Sequence, residues 1–362
     1  MPRVLHLIPS TDDAGAENQA RYLIEHLNAD GRYAPEVAYF RRGRAHARFE
    51  ALGVPLRRLP ARSPLLLDLP RRTVACRRAY GGDRPEIVQS WLFEGNLVAG
   101  CAFGGWPETR VVLTQRSGNS LRVSPWRVRA TRWLRRRADH VIANSQEGVS
   151  FLVEAGFEPG RISITPHGVP EERVRPRRSR DEVRAQLGIA AGQEVVCAVG
   201  RADDTKDLPT LFAAMATVWR HRPDVTLLLV GPTEQEAGRI AGPLPERARA
   251  LGWVEDPATL LAACDLLAIS SWTEGHSNVA DEALMLGLPV VTTDTGDHVD
   301  LVVRAGGRKA PIRSPEPLAA AILELLDDPP PRQRVQSEAR RALSLERLVA
   351  ETVGVYDRLL GR

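Results

Sequence analysis

A chain of 362 residues is longer than one typical hydrophobic core supports and fits two domains. Its 43% apolar and 26% charged content is ordinary for a soluble globular protein. No apolar run approaches the roughly 18 residues of a membrane span, and the N-terminus lacks the charged, apolar, small-residue order of a signal peptide, so a cytoplasmic location is expected. The net charge of +4 is uneven: residues 1–170 hold 25 arginines and no lysine against 16 acidic residues, whereas residues 171–362 hold 24 basic and 29 acidic. With only Lys206 and Lys309 in the chain, a lysine at a motif position is informative. Cys76, Cys101, Cys197 and Cys264 have neither CxxC nor metal-site spacing and are expected as buried free thiols.

Val4–Ile8 reads as a first buried strand, followed by a loop containing Ala14-Gly15-Ala16 and a helical pattern from Glu17 to Leu27. Such a turn is where a doubly wound fold brings backbone close to a ligand, although many α/β proteins have one for steric reasons alone. A strand at Glu36–Phe40 precedes an Arg-rich loop at Val54–Leu59 and a helix from Pro70 to Tyr80. Further strands are expected at Glu86–Ser90, Val111–Thr114 and Val141–Ser145, with Gln89-Ser90-Trp91 leading into Glu94 and Asn96, and a polar segment at Gln115–Asn119.

The stretch Trp126–Arg137 interleaves Trp126, Trp133 and Leu134 with six arginines. One reading is contact with an anionic membrane surface or an acidic acceptor. The other is a solvated cationic face with both tryptophans in the core, which the short apolar face favours; peripheral membrane contact stays open. No nucleic-acid reading motif accompanies the charge, so nucleic acid is not expected as a partner.

The composition turns polar and proline-containing at 171–180, the expected linker between an N-terminal domain, 1–170, and a second α/β domain, 181–345. In the second half, Glu194–Gly200 and Thr226–Gly231 are strands with glycine exits. A helix from Glu234 to Leu251, interrupted by Pro243 and Pro245, is expected next, then a short strand and turn at Gly252–Asp256 and a helix at 257–263. The strands Asp265–Ile269 and Pro289–Thr293 enclose Ser270–Met285, and a terminal helix, 346–362, is expected to return to the first domain. The alternation implies two Rossmann-like doubly wound parallel sheets and a cleft between facing sheet edges.

The chemistry concentrates in Glu274-Gly275-His276-Ser277-Asn278-Val279-Ala280-Asp281-Glu282, read as strand end, tight loop and helix start. A helix N-terminus there offers N–H donors to hydroxyls or anions. Gly200-Arg201 with Lys206, and the Gly231 exit, are expected at the same sheet edge, where Arg and Lys can neutralise a diphosphate while Glu274 and Glu282 accept from sugar or ribose hydroxyls. Paired carboxylates also suggest glycoside hydrolysis. Placing Glu274 in the loop and Glu282 a turn into the helix disfavours that, since the two then serve successive parts of an extended ligand.

The E-x7-E unit with its Gly-Leu-Pro-Val-Val continuation resembles the signature of retaining GT-B glycosyltransferases of family 4. Ala14–Glu17, Asn144-Ser145, Pro166–Val169, Gly200-Arg201 with Lys206, Val230-Gly231, Gly252-Trp253-Val254 and Asp294–Gly296 extend the similarity over nearly the whole chain. The resemblance implies a nucleotide-sugar donor, UDP-sugar by default with guanosine as the other base, and a glycan, lipid-linked or small-molecule acceptor. It implies that Arg201 and Lys206 hold the diphosphate and Glu282 the ribose. Glu274 and the backbone of Gly275, His276, Ser277 and Asn278 then hold the sugar, Gly15 approaches the phosphate, and Trp253 and Val254 frame the base. No metal is expected, as no DxD-type site is present. The departures are Ala14 for a glycine, Asp207 for the glycine after Lys206, and His167 for an asparagine. Where many relatives carry a histidine after the fourth strand, this chain has Gln89-Ser90-Trp91, with Glu94 as a candidate replacement. The alternatives are a catalytically idle nucleotide-sugar-binding GT-B module and a sugar-nucleotide epimerase.

Overall fold

The apolar residues of the first strand enter two different clusters: Leu5 and Leu7 one, Val4 and Ile8 the other. A strand buried on both faces belongs to a parallel sheet covered by helices on either side. The computed structural model has this architecture twice. It describes residues 1–62, 65–116, 124–165, 167–274, 276–296 and 298–362, Leu66 by its backbone only. Of the residues singled out above, Ser117, Gly118, Asn119, Pro166 and Gly275 lie outside the described residues.

Residues 1–168 and 345–362 form one unit and residues 169–344 a second. The first sheet has seven strands: β1 Arg3–Ser10, β2 Ala34–Arg41, β3 Leu56–Arg58, β4 Ile87–Trp91, β5 Arg110–Gln115, β6 His140–Ala143 and β7 Ile162–Ile164. Their order is β3-β2-β1-β4-β5-β6-β7, all parallel, so the chain reverses its direction of winding between β1 and β4. The helix Leu345–Leu360 packs into this unit: Val353, Val355 and Tyr356 join the Val4–Ile8 cluster, and Tyr33 donates to Asp357 at 2.5 Å.

The second sheet comprises β8 Val195–Val199, β9 Thr226–Val230, β10 Ala248–Ala250, β11 Leu266–Ile269, β12 Val290–Thr293 and β13 Arg308–Ala310. Its order, β10-β9-β8-β11-β12-β13, is also parallel and places the winding reversal between β8 and β11. Val195 and Cys197 face one core, Val196 the other. The four thiols are free; Cys76, Cys197 and Cys264 are buried and Cys101 partly so.

Four local expectations change. Leu56–Arg58, expected as loop, is an edge strand, because pairing to Val37–Tyr39 by backbone alone needs little side-chain hydrophobicity. The helix ending at Tyr80 begins at Leu65, with Pro70 in its second turn. The helix after Thr233 stops at Ala241, where Gly242 takes φ +82° ahead of the two prolines. The strand that follows is Ala248–Ala250, and Gly252–Val254 is irregular.

Buried histidines tie both units to pH. His298, in the helix His298–Arg304, bonds Thr292 Oγ1 at 3.0 Å, and burial, reinforced by His276, holds its pKa down to about 3. The folded state then binds fewer protons than the unfolded chain between about pH 3 and 6.5, so stability falls as pH drops through that window. His298→Gln is expected to lose on the order of 2 kcal/mol less than wild type between pH 6.5 and 5, at about 1.4 kcal/mol per unit, in paired urea titrations.

Candidate active site

The carboxyl ends of β8 and β11 are adjacent, and the loops leaving them are stitched together. Ser270 Oγ donates to Lys206 O at 2.7 Å, Trp272 N to Thr205 O at 3.0 Å, and Trp272 Nε1 to Asp204 O at 2.8 Å. Lys206 Nζ pairs with Glu274 Oε1 at 2.5 Å, and Ser271 Oγ donates to the same oxygen at 2.8 Å. A small pocket opens here, lined by Gly200, Arg201, Lys206, Pro232, Ser270 and Ser271 among others. In open α/β sheets ligands bind at this kind of winding reversal.

Backbone sterics fix the floor of the pocket. A Cβ on Gly200 would lie 2.8 Å from Lys206 Cε, and one on Gly231, at φ +113°, would collide with the Gly200 carbonyl. Gly231 N bonds Gly252 O at 2.8 Å, which docks the irregular Gly252–Val254 segment beside the β9 exit, with Trp253 60% exposed. Arg201 is 89% exposed in its side chain and reaches Asp203 at 3.2 Å.

The helix Asn278–Met285 starts as expected, with Ser277 as its N-cap and Asn278 as its first residue. Glu282, in its second turn, is paired with Arg173 at 2.9 Å. His276 Nε2 lies 2.9 Å from both carboxylate oxygens of Asp281, which is fully buried. Lys206 and Glu274 are thus brought together, whereas Glu282 has a cation of its own. Sequence reasoning missed Arg173 because its polar, proline-flanked surroundings read as linker.

In the first unit Gly15 opens the helix Gly15–Asp30 beyond the end of β1. Ser10 Oγ donates to Glu17 Oε1 at 3.0 Å, and burial raises the Glu17 carboxyl above its ordinary range. The Gln89-Ser90-Trp91 departure is internal. Gln89 bonds Thr114 Oγ1 at 3.0 Å and accepts from Tyr356 Oη, Ser90 bonds Asn96 at 2.7 Å, and Trp91 Nε1 donates to His6 at 3.3 Å. Glu94 is held by Arg41 at 2.7 Å and by buried Arg72, which also binds Asp68 at 2.8 Å. Both of its carboxylate oxygens are thus engaged by arginine. His167 lies 3.2 Å from Asn144 at the ends of β6 and β7. Trp126 and Trp133 are 36% and 38% exposed, not in the core, and Arg127 and Arg137 stack over them at 5.7 and 5.1 Å.

Two such sheets define the GT-B class. The fold aligns with HepE of Anabaena in complex with UDP at a TM-score of 0.83, with 22% identity over 98% of this chain and 100% of that one. It aligns equally with sucrose-phosphate synthase of Thermosynechococcus elongatus, at 0.83 and 22% identity over 99% of both chains. Residues 14–173 match the family described as Glycosyltransferase Family 4, and residues 193–328 that described as Glycosyl transferases group 1. The chain belongs to family 4 of the GT-B glycosyltransferases. It is 33% identical to D-inositol 3-phosphate glycosyltransferase of Segniliparus rotundus over 53% of this chain and 45% of that one. It is 30% identical to a GDP-mannose-dependent phosphatidylinositol monomannoside mannosyltransferase of Corynebacterium glutamicum over 50% and 51%. The chain spans about half the length of the curated relatives it matches.

Removing the Glu94 charge leaves buried Arg72 with Asp68 as its one carboxylate partner. Glu94→Gln is expected to cost about 3 kcal/mol of stability, read as a lower urea midpoint for the first unit.

Proposed function

We propose that this protein transfers a glycosyl group from a nucleotide-sugar, a UDP-sugar in the first instance, to a hydroxyl acceptor with retention of anomeric configuration. The second unit takes the donor and the first the acceptor. The observation that carries this reading is the Lys206–Glu274 pair at the β8/β11 winding reversal. A lysine paired through one of its three N–H bonds still has donors for a diphosphate. A carboxylate anchored through Oε1 keeps Oε2 for a sugar hydroxyl. Arg201 adds charge from the solvent side, Arg173 orients Glu282 toward ribose hydroxyls, and the start of the helix Asn278–Met285, with the backbone of Gly275 to Ser277 before it, supplies N–H donors. Gly15 approaches the phosphates, and exposed Trp253 with Val254 frames the base.

The chemical step needs charge stabilisation more than acid–base work. As the donor C–O bond breaks, negative charge grows on the leaving diphosphate, where Lys206, Arg201 and backbone N–H groups neutralise it, while the acceptor hydroxyl attacks the same face of an oxocarbenium-like centre. The UDP complex of HepE and the nucleotide-sugar dependence in the name of the Corynebacterium relative support a nucleotide-sugar donor, the latter with guanosine as the alternative base. We also assign the half-exposed Trp126 and Trp133, in their arginine-rich helix, to contact with an anionic membrane carrying a lipid-linked acceptor.

Lys206→Ala and Glu282→Ala are each expected to lower transfer at least a hundredfold while remaining folded. Arg173→Met is expected to raise the donor KM about tenfold with the chemical step retained. Turnover matching wild type in the first two would remove the site assignment. Stabilisation by a nucleotide-sugar without its consumption, in the presence of a broad acceptor panel, would identify an idle binding module instead. The membrane assignment predicts salt-sensitive sedimentation with phosphatidylglycerol vesicles that Trp126→Ser with Trp133→Ser abolishes; phosphatidylcholine vesicles serve as the neutral control.

A further inference from the structure

Arg72 and Arg116 of the first unit both have guanidinium nitrogens out of contact with solvent, and they are partnered very differently. Arg72 is saturated: Nε bonds Asp68, Nη1 pairs with Glu94, and Nη2 donates to Arg62 O at 2.9 Å. Arg116 has none of this. It follows Gln115, the last residue of β5, at the carboxyl edge of the sheet, and its Nε and Nη1 are shut off from solvent with no hydrogen-bond partner among the described residues. Its guanidinium lies 5.3 Å from the ring centroid of Trp91, which is 1% exposed and ends β4, the neighbouring strand.

Burial pushes the Arg116 pKa down to about 10, and among the described residues no carboxylate acts against it. The group is still cationic at neutral pH. An aromatic face recovers part of the desolvation cost, but two N–H donors without acceptors remain. Among the described residues Arg72 has two carboxylates and a carbonyl, whereas Arg116 has a ring and two donors without an acceptor. None of the described residues supplies the missing acceptor.

We propose that Arg116 is an anion-binding residue of the first unit, taking a phosphate group presented at the carboxyl edge of its sheet, with Trp91 holding the guanidinium plane in place. A planar fork of N–H donors matches phosphate oxygens two at a time. The phosphate belongs either to a phosphorylated acceptor or to the donor diphosphate. That choice of owner, though not the anion site itself, rests on the glycosyltransferase reading.

The test compares wild type, Arg116→Gln and Arg116→Lys at constant ionic strength. UDP is titrated alone, and phenyl phosphate is titrated with UDP already saturating, each followed by thermal shift and calorimetry. Without ligand, Arg116→Gln is expected to melt no lower than wild type, since it removes an uncompensated buried charge. Phenyl phosphate affinity lower by ten- to a hundredfold in Arg116→Gln, with UDP unchanged, assigns the site to an acceptor phosphate. The same loss confined to UDP assigns it to the donor. Arg116→Lys keeps the charge over Trp91 without the fork; it is expected to lose the same ligand by a smaller factor and stands in should the glutamine variant fail to fold. UDP affinity unchanged in both variants, together with phenyl phosphate binding that is absent or equal to wild type, overturns the proposal. A wild-type protein that binds phenyl phosphate through Arg116 but no nucleoside diphosphate would instead sink the transferase reading and leave the anion site standing.

Discussion

The ion pair between Lys206 and Glu274 joins the two loops that the β8/β11 winding reversal brings side by side, and the local backbone is built to permit it. Gly200 has no Cβ because the lysine stem crosses where one would be, and Gly231 has none because the Gly200 carbonyl fills that space. Lys206 is held at its backbone by Ser270, and the preceding turn by Trp272, so the ammonium arrives at a fixed place. Asp207 turns the chain there in the left-handed conformation, φ 47° and ψ 53°. Relatives commonly place glycine at that point. Aspartate tolerates the conformation and returns some of its cost by capping the helix Leu208–His221, accepting from Thr210 N.

What was legible in the sequence follows from what repeats or spans a whole element. Runs such as Thr226–Val230 are apolar on both faces and announce parallel strands, and the glycines at 200 and 231 mark their exits. The E-x7-E spacing placed Glu274 before and Glu282 inside one helix. The partner of Glu282 was not legible. Arg173 lies 109 residues away in a stretch whose prolines and charges signal only a connection. The strands at 56–58 and 248–250 were missed for a different reason: three residues pairing through backbone carry no periodic signal.

The first unit shows why a departure from a family pattern is a poor guide to chemistry until its partners are known. Gln89, Ser90 and Trp91 look like a rewritten catalytic segment, yet each spends its polar atoms on another buried group: Thr114 and Tyr356, Asn96, and His6. His6 is itself held neutral, its pKa lowered by burial to about 3. Glu94 looked like a spare carboxylate because sequence shows neither Arg41 nor Arg72 beside it. The signal at Arg116 was equally invisible, since one more arginine among 25 in residues 1–170 attracts no notice.

Charge in this unit therefore has to be sorted by compensation and not by count. Most of its arginines are exposed or paired, as Arg3 is with Glu36 and Arg48 with Asp13, and such pairs contribute little to recognition. A guanidinium that is desolvated and left without a carboxylate is electrostatically expensive, and an incoming anion relieves that cost. The same burial makes such a site discriminating: a neutral ligand would leave the donors unpaired, and one bringing its own negative charge closes the balance.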